Sequence, residues 1–192
     1  MKNVKILIAL TSATLTLAAL TTTASANHLS SSTQTFRTTW SVFEFAGGFA
    51  SLKCSLTLEG SLHSRTIAKV LGTLIGSITR ASIGPCQTGS ATVLTATLPW
   101  HIRYNGFTGV LPDITRLKET ITNFQLRIGE GVFGITCLAR AEPNEPADAV
   151  YALNGSHAVT SWTLGGTINC EGISLTLSGS STTNSGQTIT LI

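Results

Sequence analysis

From Ala50 the chain reads ASLKCSLTLE, in which Leu52, Cys54, Leu56 and Leu58 alternate with Ser51, Lys53, Ser55, Thr57 and Glu59. Successive side chains of a strand point to opposite faces, so a period of two predicts a half-buried strand with Cys54 on its inward face. Near the C-terminus Ile173, Leu175 and Leu177 repeat the pattern, whereas Ile168 and Cys170 fall in the opposite phase. A bulge at Gly172 would reconcile the two. Further strands are expected around WSVFEF (40–45), LGTLIGSIT (71–79), ATVLTATL (91–98), ITNFQLRI (121–128), VFGITCL (132–138) and QTITLI (187–192).

Two Asn-Gly pairs, Asn105-Gly106 and Asn154-Gly155, each stand between plausible strands. A type I′ turn needs positive φ at both central residues, which makes Asn-Gly the strongest short hairpin signal, and both pairs are read as hairpin turns. One segment competes with the strand reading. Ile114, Leu117, Ile121 and Phe124 fall at helical spacing behind Asp113, a capable N-cap, so Asp113 to Phe124 could form a short helical turn. AEPNEPAD (141–148), with two Pro and three acids, reads as an exposed loop. Short strands separated by turn signals at this spacing predict an all-β domain, an antiparallel β-sandwich or a barrel.

LPWHIRY interrupts the Ser- and Thr-rich background. Trp100, Ile102 and Tyr104 share one strand face and His101 and Arg103 the other, so Pro99 ends one strand and Trp100 opens a new buried face. Pro99, Trp100 and Tyr104 are therefore expected at a structural corner, with a binding site as the competing reading. Trp40, Phe43, Phe45, Phe49, Phe107, Phe124, Phe133 and Trp162 could line a groove for sugars or hydrocarbon, but core packing is the better account of each.

The first 26 residues combine a positive start (Lys2, Lys5), an apolar run from Ile6 to Leu20 and the small-residue end Ala24-Ser25-Ala26. This is the pattern of a secretory signal peptide cleaved after Ala26, leaving residues 27–192 as one secreted domain, at the cell surface or released and not integral to a membrane. The formal net charge of +3 includes Lys2 and Lys5, so residues 27–192 carry +1, with no clustered basic face expected that would steer nucleic acid or an anionic membrane. They contain 25 Thr and 18 Ser, a hydroxyl-rich composition that favours strands.

Exported chains oxidise their thiols, so the even set Cys54, Cys86, Cys137 and Cys170 predicts two disulfides. Spacings of 32 and 33 residues favour Cys54–Cys86 and Cys137–Cys170 among the three possible connectivities. Zinc is the weaker reading, because no C-x-x-C pair supplies half of a tetrahedral site. Motifs of catalysis are absent: there is no G-x-S-x-G elbow, no H-E-x-x-H and no phosphate or dinucleotide loop. His63, His101 and His157 have no carboxylate at a telling spacing, and Glu44, Glu59, Glu119, Glu130 and Glu171 are dispersed singly, each expected on a solvated strand face. The expectation is a non-enzyme without metal or cofactor.

In order along the chain, LKCSLTLEGSL, GSITRASIGPC, TATLPWHI, FGITC, LGGTINCEGISLTLSG and a terminal TITLI form a series of short motifs. The series resembles small secreted four-cysteine proteins described as protein activators of alkane oxidation, together with exported proteins of actinobacterial type. The chain departs from that pattern in the longer segment Tyr104 to Arg127 and in the AEPNEPAD loop. What the resemblance implies is an extracellular, non-enzymatic accessory protein that aids contact with hydrophobic substrates or cell-envelope components, with exposed aromatics as its working surface and no catalytic residue to carry over. A structural or adhesive surface subunit, using QTITLI for edge pairing, is the alternative; a secreted hydrolase comes third.

Overall fold

The computed structural model describes residues 28–48, 50–129, 136–182 and 186–192. The signal-peptide segment, Phe49, Glu130 and Phe133 lie outside the described residues. Within them the chain is built of strands: β1 (His28–Ser31), β2 (Thr35–Gly47), β3 (Ala50–Leu62), β4 (Thr66–Ala68), β5 (Leu74–Cys86), β6 (Ala91–Val93), β7 (Trp100–Val110), β8 (Asp113–Thr122), β9 (Phe124–Ile128), β10 (Cys137–Ala141), β11 (Ala147–Leu153), β12 (Val159–Cys170), β13 (Ile173–Thr182) and β14 (Ile189–Leu191). A single 3-10 turn, Thr95–Thr97, interrupts them.

Eight of these strands follow one another as antiparallel neighbours in the order β2, β3, β5, β7, β8, β11, β12, β13. Because β13 pairs with β2 through Leu177 and Phe45, and β11 pairs with β12, the ladder returns on itself as a ring. This is an up-and-down barrel, the arrangement that removes sheet edges. Two smaller sheets are attached. β10, β9 and β6 extend the ring from β12, where Ala139 faces Cys170, and β14–β1–β4 forms a separate three-stranded sheet.

Alternation decides which side chains fill the barrel. Leu52, Cys54, Leu56 and Leu58 of β3 are buried, as are Trp100, Ile102 and Tyr104 of β7, Trp162 and Leu164 of β12, and Leu175 and Leu177 of β13. Outward positions such as Ser55, Thr57, Glu59, Thr163 and Thr176 are polar, the reverse of the lipid-facing band of a membrane barrel. Trp40 and Phe43 both point inward although three residues apart, and a register shift between them makes this possible while leaving Val42 outside. Trp162 sits at the centre of the aromatic core, stacked on Tyr151 at 5.0 Å and tilted against Trp40 at 5.2 Å. The Trp40 indole N–H donates to the Trp162 carbonyl at 3.0 Å, whereas the indole nitrogen of Trp162 itself is buried without a partner.

Both disulfides form between the expected partners, Cys54–Cys86 and Cys137–Cys170. The first joins ladder neighbours β3 and β5, and the second joins β10 to β12.

Several sequence expectations are corrected. Asn105-Gly106 is no hairpin turn: it lies inside β7, where the register shifts between Tyr104 and Phe107 and Gly106 takes φ 105°. The positive φ that Asn-Gly offers to a turn serves a bulge equally well. The actual turn of this hairpin is Leu111-Pro112. Asn154-Gly155 does open the β11–β12 connection, but as a five-residue loop in which Asn154 Oδ1 accepts from the Ser156 and Ala158 amides and positive φ falls on His157.

Asp113 to Thr122 is extended rather than helical, with β8 hydrogen-bonded to β7 and β11 on its two edges, and Asn123, at φ 65°, separates it from β9. Its helix-like spacing arises because Gly109 pairs with Ile114 while Thr108 pairs with Arg116, which leaves Thr115 as an extra residue between two inward positions. Glu171-Gly172 is a two-residue turn, φ 53° and 92°, and not a bulge. It sets Cys170 opposite Ile173 and Ile168 opposite Leu175, so the phase change between β12 and β13 is what a two-residue hairpin requires. Of the strand expected at 91–98, only Ala91–Val93 forms.

Candidate functional site

The Leu98-Pro99-Trp100 segment connects β6 to β7. Trp100 is fully buried with its ring 4.6 Å from Phe124, and its indole N–H donates to Thr97 Oγ1 at 2.9 Å. Thr97 Oγ1 in turn donates to the Leu94 carbonyl at 2.7 Å, so the 3-10 turn is shaped to receive this ring. Pro99 is exposed, and Tyr104 is buried two pleats further on, its phenol held above the ordinary value by that burial. The outer side of the corner does face a hollow. Thr95 and Leu98 line a groove of about 300 Å³ with Thr57, Glu59 and Arg80, and Glu59 and Arg80 are shared with a wider, shallower hollow of about 590 Å³ beside Thr35 and Arg37. Its charges satisfy one another: Arg37 Nε lies 3.2 Å and Arg80 Nη1 3.8 Å from the Glu59 carboxylate. The groove offers polar recognition through the hydroxyls of Thr57, Ser82 and Thr95 and the paired charges of Glu59 and Arg80.

Glu119 overturns the solvated-face expectation. It alternates with Leu117 and Ile121 on the inward face of β8, faces Tyr104 on β7 and Ala149 on β11, and both carboxyl oxygens are buried without a hydrogen-bond partner. Burial pushes its pKa up to about 8. The Tyr151 phenol is held well above its ordinary value, first by its own burial and then by the Glu119 charge. A carboxyl tuned in this way could serve as a general acid in a cleft, but Glu119 lines none of the hollows described here. The signal was present in LKETI, where Glu occupies an apolar phase.

The histidines are not gathered. His63 is exposed, His101 Nδ1 lies 3.4 Å from Asn123 Nδ2, and His157 Nε2 lies 4.0 Å from Asp113 while its Nδ1 is buried without a partner. A third hollow, of about 270 Å³, is lined by Arg140, Glu142, Glu145, Asn169 and Glu171. No group of three His, Cys, Asp or Glu among the described residues is placed to hold a metal ion, and none of their helices is long and apolar enough to cross a membrane.

Core packing, the reading favoured for each aromatic, holds: Trp40, Phe43, Phe45, Trp100, Tyr104, Phe124 and Trp162 are all buried and Phe107 is half-buried, so these rings do not supply the exposed aromatic working surface expected of an accessory protein. What the surface presents instead is aliphatic. Of the seven large apolar side chains exposed among the described residues, Val70, Leu71, Leu74, Val110 and Leu111 belong to one end of the barrel. That end is a single unit. The Gly72 amide donates to the Tyr104 carbonyl at 2.8 Å and the Tyr104 amide to the Thr73 carbonyl at 2.9 Å. Arg103 Nη1 donates to the Gly72 carbonyl at 2.9 Å, and Lys69 Nζ lies 5.8 Å from the Phe107 ring centroid. The β7–β8 hairpin then runs about three further residues, roughly 10 Å at the strand rise, to a tip where Val110 is 82 % exposed. Leu71 and Val70, on the neighbouring loop, are 71 % and 61 % exposed. Sequence patterning missed these residues, although VLG (70–72) and VLP (110–112) place aliphatic pairs where turns ordinarily carry polar residues. In comparisons with known proteins, no family model, no curated protein and no solved structure matches this chain.

Proposed function

We propose that this is a secreted, non-enzymatic accessory protein, one domain once its leader is removed, that engages hydrophobic material through the end of the barrel carrying Val70, Leu71, Val110 and Leu111. The observation behind this reading is the concentration of exposed aliphatic side chains on two adjoining loops: of the seven large apolar side chains exposed among the described residues, only Val42 and Ile192 lie elsewhere. Contiguous exposed apolar surface on a soluble domain marks an interaction site, and the two disulfides suit an oxidising, extracellular setting. The resemblance to alkane-oxidation activators points the same way. The adhesive alternative is less favoured: β14 already pairs with β1, Leu29 facing Leu191, and on its other side the Ile189 amide donates to the His157 carbonyl. Its edge is therefore not free along its length for a partner strand.

The test is partition of the purified protein to a hexadecane–water boundary, with interfacial tension read by drop shape. Enrichment at the boundary, lost in Val110→Asp/Leu111→Asp, is the expected result. Enrichment no greater than that of lysozyme ends the reading.

A further inference from the structure

The sequence expectation that no basic face is clustered enough to meet an anionic membrane does not hold at the apolar end, which has a charge pattern of its own. Along residues 63–74 and 100–118 the chain carries Arg65, Lys69, Arg103, Arg116 and Lys118 against one carboxylate, Asp113. None of these five cations is ion-paired among the described residues, whereas Arg37, Lys53 and Arg80, elsewhere on the barrel, are paired with Glu59 or Glu44. Asp113 faces His157. Carboxylates gather away from this end, with Glu142, Glu145 and Glu171 around the 270 Å³ hollow. Lys69 and Arg103 are held against the apolar loops themselves, through the Phe107 ring and the Gly72 carbonyl.

Aliphatic side chains at two loop tips with cations set back behind them match the layering of an anionic bilayer, where acyl chains lie beneath a phosphate-bearing surface. A neutral hydrocarbon droplet would use the aliphatic tips alone and would leave Lys69 and Arg103, which are held against those loops, uncompensated at its surface. We infer that this end is a peripheral membrane-docking face for anionic phospholipid, Val110 and Leu111 at the hairpin tip and Val70 and Leu71 beside it entering the acyl boundary while Lys69, Arg103 and Arg116 meet lipid phosphates. This rests on the reading that the apolar end is the working surface, and adds that the surface it meets is an anionic bilayer.

The test is co-sedimentation of the protein from residue 27, which carries every described strand, with phosphatidylcholine vesicles and with vesicles containing about a third phosphatidylglycerol, where a few cations near the surface should strengthen binding roughly tenfold or more. The preference is expected to collapse as salt rises from about 0.1 M to about 0.5 M, because screening shortens the reach of the cations. Lys69→Glu/Arg116→Glu should abolish the lipid preference, and Val110→Asp/Leu111→Asp should abolish binding to both vesicle types, each with a melting midpoint little changed, because Val110, Leu111 and Arg116 are exposed and half-buried Lys69 gives up only its contact with the Phe107 ring. Equal binding to the two vesicle types, or undiminished binding by the Lys69/Arg116 variant, overturns the inference. A protein that partitions to hexadecane but ignores phosphatidylglycerol vesicles refutes the lipid assignment and leaves the hydrophobic-contact reading standing; one that does neither removes both.

Discussion

At the scale of single residues, Glu119 is where burial and chemistry conflict most openly. An ionised carboxylate enclosed by the apolar interior of a barrel without a donor is costly, and the fold answers by keeping the proton. The folded pKa is about 8 against an ordinary 4.5, so the unfolded chain releases its proton well before the folded one does. The contribution of this group to stability is therefore fully present below about pH 4.5 and is lost as pH rises toward 8, with a limiting slope of about 1.4 kcal/mol per pH unit. Urea denaturation across that range should show stability falling with pH, and Glu119→Gln, which keeps the shape and cannot ionise, should flatten the decline. A slope unchanged in the variant would locate the proton elsewhere. The inward position of Glu119 is legible in its alternation with Leu117 and Ile121; here phase is a better guide to burial than residue type.

At the scale of elements, strands were read well where alternation was unbroken, as in β3 and β13, and badly where bulges broke it. β7 and β8 hold two register shifts within one hairpin. Those shifts turned an Asn-Gly signal into an interior kink and gave a strand the spacing of a helix, because one-dimensional periodicity cannot distinguish an inserted residue from a change of period. The connection from β6 to β7 was legible as a corner because Pro cannot donate to a ladder and Trp, Ile and Tyr then follow in phase. Trp100→Ala would remove a fully buried ring packed on Phe124 and leave Thr97 Oγ1 without its indole donor. Its expected cost is roughly 3–5 kcal/mol, read as a lowered denaturation midpoint, with hexadecane partition intact below that midpoint. A loss within about 0.5 kcal/mol, as at exposed positions, together with lost partition, would make this ring part of the working surface instead.

At the scale of the whole molecule, the all-β class, the two disulfides and their pairing could be taken from the sequence, whereas ring closure could not. Closure depends on β13 meeting β2, strands from opposite ends of the chain joined by three register pairs, Thr176–Ala46, Leu177–Phe45 and Ser178–Glu44. No local pattern reports such a pairing. Neither disulfide crosses that seam: Cys54–Cys86 ties β3 to β5 and Cys137–Cys170 ties β10 to β12. The covalent links therefore restrict the unfolded chain within separate loops of 32 and 33 residues, and the seam relies on its ladder and on the core rings behind it. In the chain-entropy account each loop contributes about 3.7 kcal/mol, so removing one disulfide with Cys→Ser pairs should lower stability by about that amount and removing both should act additively. The apolar tip belongs to the β7–β8 hairpin, which neither disulfide touches. Each double variant, while folded, should therefore still reach the hexadecane boundary as the parent does. Partition that fell in step with loss of a disulfide, below the melting midpoint, would place the working surface at the disulfide end of the barrel and not at Val110 and Leu111.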